Sequence, residues 1–377
     1  MKKIKYFVFY ILYFILSPFF KIKKRIFFVC FNFTQYSDSQ RAICEKMHAL
    51  YPDYDLIWLY RPNPKMQLHL FPTYVRFIKF SYFRFLKYLS SSFCVINNFE
   101  YTKEFIKKKK QFFIQTYHGD RYFKKVLFDC NPNHKNIMDG DVVDLGISGS
   151  DFSEQRLYKI SLRYDGPLLK IGMPRNDLLV TRNTSRESIL KELGIKNDKR
   201  ILLFAPTFRD SDNGFFHNYL DFNRLLLTLG DDYVICYRLH KASLKSDIIQ
   251  TDKIIDVTDY YDISNLLVVA DMLITDYSSC ACDFALTEKP VILTLFDYED
   301  YVSKSRGLCM DVETIGFKCA YNMEDLVNII NETSDQEFVE RDLTVLKKYG
   351  THETGKSSQK ICELINETYE RRVLLHE

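Results

Sequence analysis

The stretch Leu273-Ile-Thr-Asp-Tyr-Ser-Ser-Cys-Ala-Cys-Asp-Phe-Ala-Leu-Thr-Glu-Lys-Pro290 carries the clearest indication of the fold. An apolar strand over residues 271–275 runs into a turn with the serine pair Ser278 and Ser279, and a helical pattern follows. A serine at a helix start caps backbone N–H groups, and the same groups, together with the helix dipole, can bind an anion. The stretch therefore predicts either a phosphate or diphosphate site after a strand, or an ordinary capped helix of an α/β domain.

Short apolar strands alternate with helical stretches on both sides of this segment. The predicted strands cover residues 25–31, 56–60, 93–96, 111–117 and 145–148 in the first half, and residues 200–205, 233–239, 253–257, 272–275 and 291–294 in the second. This alternation predicts two parallel-sheet α/β domains, and residues 172–177, which contain Gly and Pro, mark the crossing between them. In two such domains that face each other, ligands bind in a cleft at the carboxyl ends of the strands.

Length, charge and cysteine content narrow the class of protein. The 377 residues are enough for two domains of ordinary size. The formal net charge is only +3, so the charge balance does not indicate a nucleic-acid partner. The 10 cysteines form neither a C-x-x-C pair nor a Cys/His cluster with zinc spacing, which indicates free thiols in a reducing cytoplasm. The sequence has no carboxylate cluster typical of Mg²⁺.

The amino-terminal segment is apolar and aromatic, with basic residues on both sides. The run over residues 6–20 is interrupted only by Ser17 and Pro18, and lysines precede and follow it. The run is shorter than the roughly 20 residues of a spanning helix, and no small-x-small cleavage site of a signal peptide follows it. It fits an interfacial anchor on an anionic leaflet. The alternative is a buried first helix of the domain.

A second segment, residues 74–88, supports the membrane interpretation. Arginines and lysines recur there at steps of three to five residues among phenylalanines. This spacing predicts a basic-aromatic helix suited to a lipid headgroup surface. A core helix with a solvated basic edge is the alternative.

Two histidines, one in each half, follow predicted strands. His118 follows the strand at residues 111–117, and His240 follows the strand at residues 233–239. Catalytic groups occupy this position in open α/β sheets. An imidazole can take a proton from an attacking hydroxyl or donate one to a departing phosphate.

Two arginines occupy comparable positions. Arg209 follows the strand at residues 200–205. Arg238 lies two residues before His240, so the side chains of Arg238 and His240 point to the same face if the strand continues that far. The guanidinium fork suits phosphate oxygens. Each of these residues taken alone also fits a surface or packing role, but their shared position at strand ends favours a site.

Several segments between roughly residues 26 and 320 occur together in one order. They are Tyr36-Ser-Asp-Ser-Gln-Arg-Ala-Ile43, Tyr117-His-Gly119, Ile147-Ser148 with Tyr158, Gly172-Met-Pro-Arg-Asn-Asp-Leu-Leu179, Phe204-Ala-Pro-Thr-Phe-Arg-Asp210, Tyr237-Arg-Leu-His240, Leu273-Ile-Thr-Asp-Tyr-Ser-Ser279 with Asp283-Phe284, and Asp297-Tyr-Glu-Asp-Tyr301 with Arg306-Gly307. Jointly they resemble the CDP-glycerol:poly(glycerophosphate) glycerophosphotransferases, which are the teichoic acid primases and polymerases and their capsule relatives.

The resemblance implies a fold, a reaction and a location. The fold is α/β and GT-B-like, with two Rossmann-like parallel-sheet domains facing a cleft. The reaction transfers glycerol phosphate or ribitol phosphate from a CDP-polyol to a hydroxyl of a lipid-linked teichoic acid or capsule acceptor, and it releases CMP. The resemblance implies that neither a metal nor a cofactor is needed, with which the lack of a carboxylate cluster agrees. The location is the cytoplasmic face of the cell membrane, where the protein is peripheral or monotopic.

The resemblance also implies roles for individual residues. His118 matches the general base that deprotonates the acceptor hydroxyl, and His240 is assigned to the donor phosphates. The loop at residues 257–262 is expected near the cytidine. Residues expected to bind the CDP-polyol are Arg209, Arg238, Thr258, Thr275, Asp276, Ser278, Ser279 and Arg306, the last of which is alternatively a turn residue.

One departure from the family pattern lies beside the first histidine. The family usually reads Trp-His-Gly-Thr-Pro-Leu-Lys, whereas this chain reads Tyr117-His-Gly-Asp-Arg-Tyr-Phe-Lys124. The carboxylate of Asp120 is expected either to orient the imidazole of His118 and stabilise its cation, or to cap a helix. Because this loop should face the acceptor, the change bears on acceptor identity more than on reaction type.

We therefore expect three regions and retain two other functions. The regions are a membrane-interfacial segment at residues 1–25, an acceptor-side Rossmann-like domain at residues 26–177, and a CDP-polyol-binding Rossmann-like domain with the terminal helix at residues 178–377. The first alternative function is a GT-B glycosyltransferase that uses a nucleotide sugar. The second is a catalytically silent membrane-surface module that binds a polyanion through basic helices, which leaves the histidines at strand ends unexplained.

Overall fold

A computed structural model gives the structure of the chain. It describes residues 2–64, 66–98, 105–133, 142–209, 215–240, 243, 245–304, 307–310 and 312–374. Contacts between Cα atoms divide the chain into two compact units. Unit 1 comprises Met1–Asp120, Asn131–Asp177 and His352–Glu377, and unit 2 comprises Arg121–Cys130 and Leu178–Thr351.

The strands alternate with helices along the chain. The strands are β1 (Lys23–Val29), β2 (Asp55–Tyr60), β3 (Arg76–Lys79), β4 (Ser92–Asn97), β5 (Phe112–Gln115), β6 (Leu145–Ser148), β7 (Leu168–Lys170), β8 (Arg200–Ala205), β9 (Phe215–Phe216), β10 (Tyr233–Tyr237), β11 (Lys245–Ser246), β12 (Ile254–Asp256), β13 (Met272–Thr275), β14 (Val291–Thr294) and β15 (Lys318–Ala320). The α-helices are α1 (Lys2–Leu16), α2 (Asp38–Leu50), α3 (Tyr82–Ser91), α4 (Asp177–Thr181), α5 (Arg186–Glu192), α6 (Phe222–Leu229), α7 (Ile263–Val269), α8 (Cys280–Ala285), α9 (Tyr298–Lys304), α10 (Val312–Ile315), α11 (Met323–Glu332), α12 (Asp335–Lys348) and α13 (Ser357–Arg372). A wider helix of π type covers Ser153–Leu162.

Unit 1 is built on a parallel seven-stranded sheet in the order β3-β2-β1-β4-β5-β6-β7. Its central strands carry near-continuous apolar runs because helices cover both faces of such a sheet. Phe27, Ile57 and Val95 are buried members of the core on one face. The chain leaves β1 toward one edge and returns through β4 to the other, so a topological switch point lies between β1 and β4.

Unit 2 repeats this arrangement with six parallel strands in the order β12-β10-β8-β13-β14-β15. Leu202, Ile235 and Ile274 lie in its buried core. The switch point of this sheet lies between β8 and β13. In open α/β sheets, ligands bind outside the carboxyl ends of the strands at such a point, which indicates where a site in each unit should lie.

All ten predicted strands are observed. Those at residues 145–148, 200–205, 272–275 and 291–294 have the expected bounds, and the remaining ones differ by one or two residues at one or both ends. The sequence did not predict β3, β7, β9, β11 or β15, which are two to four residues long. Such short strands have too few residues to establish a period.

The predicted helix at residues 74–88 is wrong as a single element. The segment contains the strand β3, and a separate helix α3 begins only at Tyr82. The Ser81 hydroxyl caps α3 by accepting a hydrogen bond from the backbone N–H of Arg84 at 3.2 Å. Ser81 therefore marked the true helix start.

The last helix, α13, belongs to unit 1, whereas the sequence placed it in the domain at residues 178–377. The carboxylate of Asp177 accepts hydrogen bonds from the backbone N–H groups of Ser357 and Ser358, at 2.9 and 2.7 Å. Farther along α13, the Cys362 thiol contacts the carbonyl oxygen of Ile43 in α2. The cap and the α2 contact fix this helix on the first sheet.

The first helix, α1, packs on unit 1 along one face. Phe9 and Tyr13 are buried in the core, and the Tyr13 hydroxyl donates to the carbonyl oxygen of Ile106 at 3.0 Å. The opposite face is apolar and exposed, and it consists of Phe7, Val8, Ile11, Leu12, Phe14 and Ile15. Within the part of the chain that the structure describes, no helix has the length and apolar character needed to cross a bilayer.

Candidate active site

His118 lies just beyond β5, at the carboxyl edge of the first sheet. The preceding residue, Tyr117, has a φ of 54°, which turns the chain sharply after the strand. Nδ1 of His118 lies 2.9 Å from the carbonyl oxygen of Asn98, the residue after β4. A carbonyl oxygen can only accept, so Nδ1 carries the proton and Nε2 of the neutral ring keeps its lone pair. His118 itself is half-buried.

Three residues that sequence reasoning did not single out hold this histidine. The Arg175 guanidinium donates from Nη1 to the carbonyl oxygen of His118 at 2.8 Å. The Asn98 side-chain amide donates to Oδ2 of Asp38 at 3.3 Å, and Oδ1 of Asp38 lies 3.8 Å from Nη1 of Arg175. Asp38 and Arg175 fall within segments that match the family pattern, but Asn98 carried no sequence signal.

Asp120 binds the loop after β6. This buried carboxylate accepts from the backbone N–H of Gly149 at 2.9 Å and from the Ser150 hydroxyl at 2.8 Å. Asp120 therefore anchors the loop after β6, and its expected role toward the imidazole of His118 stays a prediction.

The neighbouring departure from the family pattern, Arg121, is also buried. Its guanidinium pairs with Oδ1 of Asp283 in α8 at 3.2 Å and donates to the Thr351 hydroxyl at 3.0 Å. The sequence did not predict this pair, because nothing in the spacing links residue 121 to residue 283.

In unit 2, the predicted residues follow β8, β10, β12 and β13 and so lie at one edge of a parallel sheet. The structure brings Arg209 and Asp276 together at the switch point, with Nη2 of Arg209 2.9 Å from Oδ2 of Asp276. Asp276 also accepts from the backbone N–H of Thr207 at 2.8 Å and from that of Tyr277 at 2.6 Å. Asp276 therefore ties the loop after β8 to the loop after β13.

Arg209 has a second carboxylate partner, Asp297, which follows β14. The Nε and Nη2 atoms of Arg209 donate to the two carboxylate oxygens of Asp297, at 2.6 and 3.1 Å. Burial by itself lowers the pKa of Arg209, but Asp276 and Asp297 outweigh that effect and raise the pKa overall. The guanidinium also lies about 5 Å from the stacked rings of Tyr277 and Tyr301, at 5.1 and 4.9 Å. This arginine is a fixed cation at the carboxyl edge of the sheet.

Arg238 orders the loop that was expected near the cytidine. Nη1 of Arg238 donates to the carbonyl oxygens of Val257 and Tyr260, at 3.2 and 2.7 Å. Burial lowers its pKa to about 10, with Asp262 and Asp259 opposing that shift. The Thr258 hydroxyl of the same loop accepts from the backbone N–H of Leu239 at 3.0 Å. Both side chains therefore shape this loop.

His240 lies exposed at the same edge, three residues beyond the end of β10. Its ring packs near that of Phe208, with ring centroids 5.6 Å apart. Phe208 and Arg209 belong to the same loop after β8. His240 is therefore near the arginine loop and open to solvent.

The serine turn differs in detail from the prediction. α8 is only six residues long, and Ser278, rather than the N-cap residue Ser279, accepts a hydrogen bond, from the backbone N–H of Cys280 at 3.3 Å. Both serines are half-buried. The Thr275 side chain is fully buried and donates to the carbonyl oxygen of Ala205 at 2.6 Å, so this threonine bridges β13 and β8 at the switch point.

Two further features complete the site description. A cavity of about 590 Å³ lies beside Asp297, and it is lined by Leu295, Phe296, Asp297, Tyr298, Glu299, Asp300 and Tyr321. Arg306, the remaining predicted donor contact, lies outside the described residues.

One group of side chains in unit 1 has the spacing of cation ligands. Asp151, Glu154 and His352 place one ligand atom each within 4.8 Å of one another, among the residues that the structure describes. The ammonium group of Lys170 also contacts the carboxylate of Glu154. Because the Lys170 ammonium group already lies on one side of these three residues, we interpret the group as a salt-bridge network.

Comparisons with known proteins identify related chains. The profile of the CDP-glycerol:poly(glycerophosphate) glycerophosphotransferase family matches residues 11–367. The teichoic acid glycerol-phosphate transferase of Staphylococcus aureus is 30% identical over 91% of this chain and 93% of its own length. The teichoic acid poly(glycerol phosphate) polymerase of Staphylococcus epidermidis is 28% identical over 91% of this chain, which spans only 50% of that polymerase.

A solved structure gives the corresponding match of the fold. The wall teichoic acid polymerase TagF, in a histidine variant soaked with CDPG, has a TM-score of 0.83 and 27% identity, covering 96% of this chain and 93% of that one. Together with the two parallel sheets, this match confirms the predicted fold class, which is α/β and GT-B-like with two Rossmann-like domains.

Proposed function

The chain belongs to the CDP-glycerol:poly(glycerophosphate) glycerophosphotransferase family, and we propose that it transfers glycerol phosphate or ribitol phosphate from a CDP-polyol. The acceptor is a hydroxyl of a lipid-linked teichoic acid or capsule chain, and CMP is released. The observation that carries this proposal is the hydrogen bond from Nδ1 of His118 to the Asn98 carbonyl, which leaves Nε2 as a proton acceptor.

The proposed step makes one P–O bond and breaks another. Nε2 of His118 takes the proton of the acceptor hydroxyl, whose oxygen attacks the phosphorus that bears the polyol. The bond from that phosphorus to the oxygen bridging to CMP breaks, and CMP leaves with the electron pair. His240 hydrogen-bonds to the donor phosphates and stabilises the charge on the departing group.

The donor diphosphate is proposed to bind at the switch point of unit 2. Arg209 supplies a fixed positive charge there, and a phosphate oxygen replaces Asp297 as one of its partners. The half-buried Ser278 and Ser279 hydroxyls add hydrogen bonds. Arg238 and Thr258 act through the loop that they order, and Thr275 and Asp276 hold β8, β13 and their loops in place.

The protein is proposed to act at the cytoplasmic face of the membrane as a peripheral or monotopic protein. The support is the exposed apolar face of α1, which continues through Phe19 and, across the Phe20–Phe83 ring contact, to α3. Phe14 and Phe19 are 69% and 80% exposed. An apolar face of this kind next to lysines suits insertion among anionic headgroups.

A donor screen tests the proposed reaction. The purified chain is incubated with CDP-glycerol, CDP-ribitol or UDP-sugars and a lipid-linked disaccharide, and nucleotide release is followed. CMP from a CDP-polyol is the expected result. UDP from a UDP-sugar would identify a glycosyltransferase instead, and no nucleotide release with any donor would favour the silent polyanion-binding module.

A further inference from the structure

Asp38 is a buried acidic residue in a strained backbone conformation next to His118. It begins α2 with a φ of 65°, in the left-handed region that favours glycine. Such a conformation costs free energy and persists only where surrounding contacts determine it. One such contact is local, because Oδ1 of Asp38 accepts from the backbone N–H of Ser39 at 2.6 Å.

The other contacts of Asp38 lead to His118 from two sides. Oδ2 accepts from the side-chain amide of Asn98, whose own backbone carbonyl binds Nδ1 of the imidazole. Oδ1 faces the guanidinium of Arg175, which binds the backbone carbonyl of His118. One carboxylate is thus linked to both the ring and the main chain of the histidine.

The Asn98 side chain is fixed at its other end as well. Its Oδ1 accepts from the backbone N–H of Phe31 at 2.9 Å, so the amide is oriented with its N–H₂ group toward Asp38. Phe31 follows β1 and Asn98 follows β4, which are the two strands at the switch point of unit 1. The residue whose carbonyl accepts the hydrogen bond from Nδ1 of His118 is therefore fixed by the segment after β1 and by the carboxylate of Asp38.

We propose that Asp38, Asn98 and Arg175 are positioning residues that set the tautomer and direction of the His118 imidazole. This deepens the proposed function, since it rests on His118 being the general base of that reaction. An imidazole free in water prefers the proton on Nε2, and that tautomer has no lone pair at Nε2 with which to accept the hydroxyl proton. Asp38 and Arg175 fix the Asn98 carbonyl relative to Nδ1 of His118, and the hydrogen bond to that carbonyl holds the ring in the reactive tautomer.

The tautomer is measured directly in the full chain. ¹⁵N-histidine NMR reports which ring nitrogen carries the proton, and a His118→Gln variant assigns the signal. We expect the proton on Nδ1 in the wild type. Asp38→Asn and Arg175→Met should shift His118 toward the tautomer with the proton on Nε2, and Arg175→Lys, which keeps the charge facing Asp38, should retain more of the wild-type form.

A matched control lies at the amino ends of the strands of the same sheet, whereas His118 follows their carboxyl ends. Arg25 is similarly buried and pairs with Asp55 at 2.7 Å, but it lies toward the amino end of β1. Arg25→Met removes a comparable ion pair and should leave the His118 signal unchanged. If Arg25→Met moves the signal as much as Arg175→Met does, or if the Asp38 and Arg175 variants leave it unmoved, the inference is wrong.

Turnover separates this inference from the proposed function. If CMP is released from a CDP-polyol, Asp38→Asn should lower kcat by about 10- to 100-fold and leave the KM for the donor unchanged. Arg25→Met should change neither. The two hypotheses can also fail separately. If the NMR shows the proton on Nδ1 in the wild type and its displacement in the variants, but no CMP is released, the positioning role is retained and the proposed reaction is wrong.

Discussion

At the scale of single residues, the direction of hydrogen bonds determines what each polar group can do. Nδ1 of His118 donates to Asn98, and Arg209 donates to Asp276 and Asp297. The sequence located both residues, because each follows an apolar strand. It did not locate Asn98 or Asp297 as their partners, since these follow other strands and meet them only through the order of the sheet.

His118→Ala is expected to abolish turnover and leave donor binding largely intact. A positioned general base contributes about 10²- to 10⁴-fold to the rate, and its loss need not disturb the arginine and serine groups of unit 2. Single-turnover release of CMP measures the rate of the reaction, and equilibrium binding of the CDP-polyol measures the affinity for the donor. Undiminished turnover in this variant would remove His118 from its proposed role.

Arg209→Met should weaken binding of the CDP-polyol donor and leave proton transfer to His118 unaffected. A hydrogen bond between charged groups contributes about 1.5–3 kcal/mol, which corresponds to an increase of roughly 10- to 150-fold in the donor KM. The matched control is Arg186→Met, because Arg186 pairs with Asp271 at 2.9 Å before β13, at the opposite edge of the sheet. Equal effects of the two substitutions on KM would mean that Arg209 has only a structural role.

Asp342 is expected to make the free energy of unfolding depend on pH. This carboxyl is 1% exposed, and burial raises its pKa to about 8, with a backbone contact at Val291 and the charge of Arg341 opposing that shift. In the unfolded chain an aspartate titrates near pH 4, so between about pH 4 and pH 8 the folded state binds more protons. The free energy of unfolding therefore falls as the pH rises through that range.

Asp342→Asn removes this titration. We expect the free energy of unfolding of the variant, relative to the wild type, to increase between pH 5 and pH 8 by on the order of a few kcal/mol. Urea unfolding followed by circular dichroism at the two pH values measures the difference. An equal difference at pH 5 and pH 8 would show that Asp342 is ionised in the folded protein.

At the scale of helices and strands, long apolar elements were predictable and short ones were not. β8, β13 and β14 have the predicted bounds because apolar runs end at clear turn signals. β3 and α3 were merged into one helix, because basic and aromatic residues happen to recur at nearly helical steps across the turn at Ser81. The weak periodicity gave a wrong helix start, and Ser81 as a capping residue would have indicated the correct one.

The exposed face of α1 is the element on which membrane binding is predicted to depend. Phe7→Ser, Phe14→Ser and Phe19→Ser together remove large exposed side chains and leave the buried contacts of Phe9 and Tyr13 unchanged. We expect the triple variant to lose binding to vesicles that contain anionic lipid in a sedimentation assay, because interfacial binding scales with buried apolar area. Phe→Ser changes that leave sedimentation unaffected would place the anchor elsewhere.

At the scale of the whole molecule, both parallel sheets were predictable, and the assignment of the last helix was not. Two series of alternating strands and helices indicate two α/β domains from local pattern alone. Nothing local reveals that α13 returns to unit 1, because its partners Asp177 and Ile43 lie far away in the sequence. Long-range packing of this kind is set by which surfaces fit, and periodicity does not encode it.

The single tryptophan, Trp58, allows the place of α13 to be tested in solution. Trp58 is fully buried in β2, so its fluorescence reports on the unfolding of unit 1. Ile361 of α13 is buried as well, and Ile361→Ala should cost about 2–5 kcal/mol through lost burial and the cavity left behind. We expect the unfolding transition of Trp58 to move to lower urea concentration. Leu326→Ala, an equally buried change in α11 of unit 2, should move the Trp58 transition less, and the reverse order would place α13 with the second domain after all.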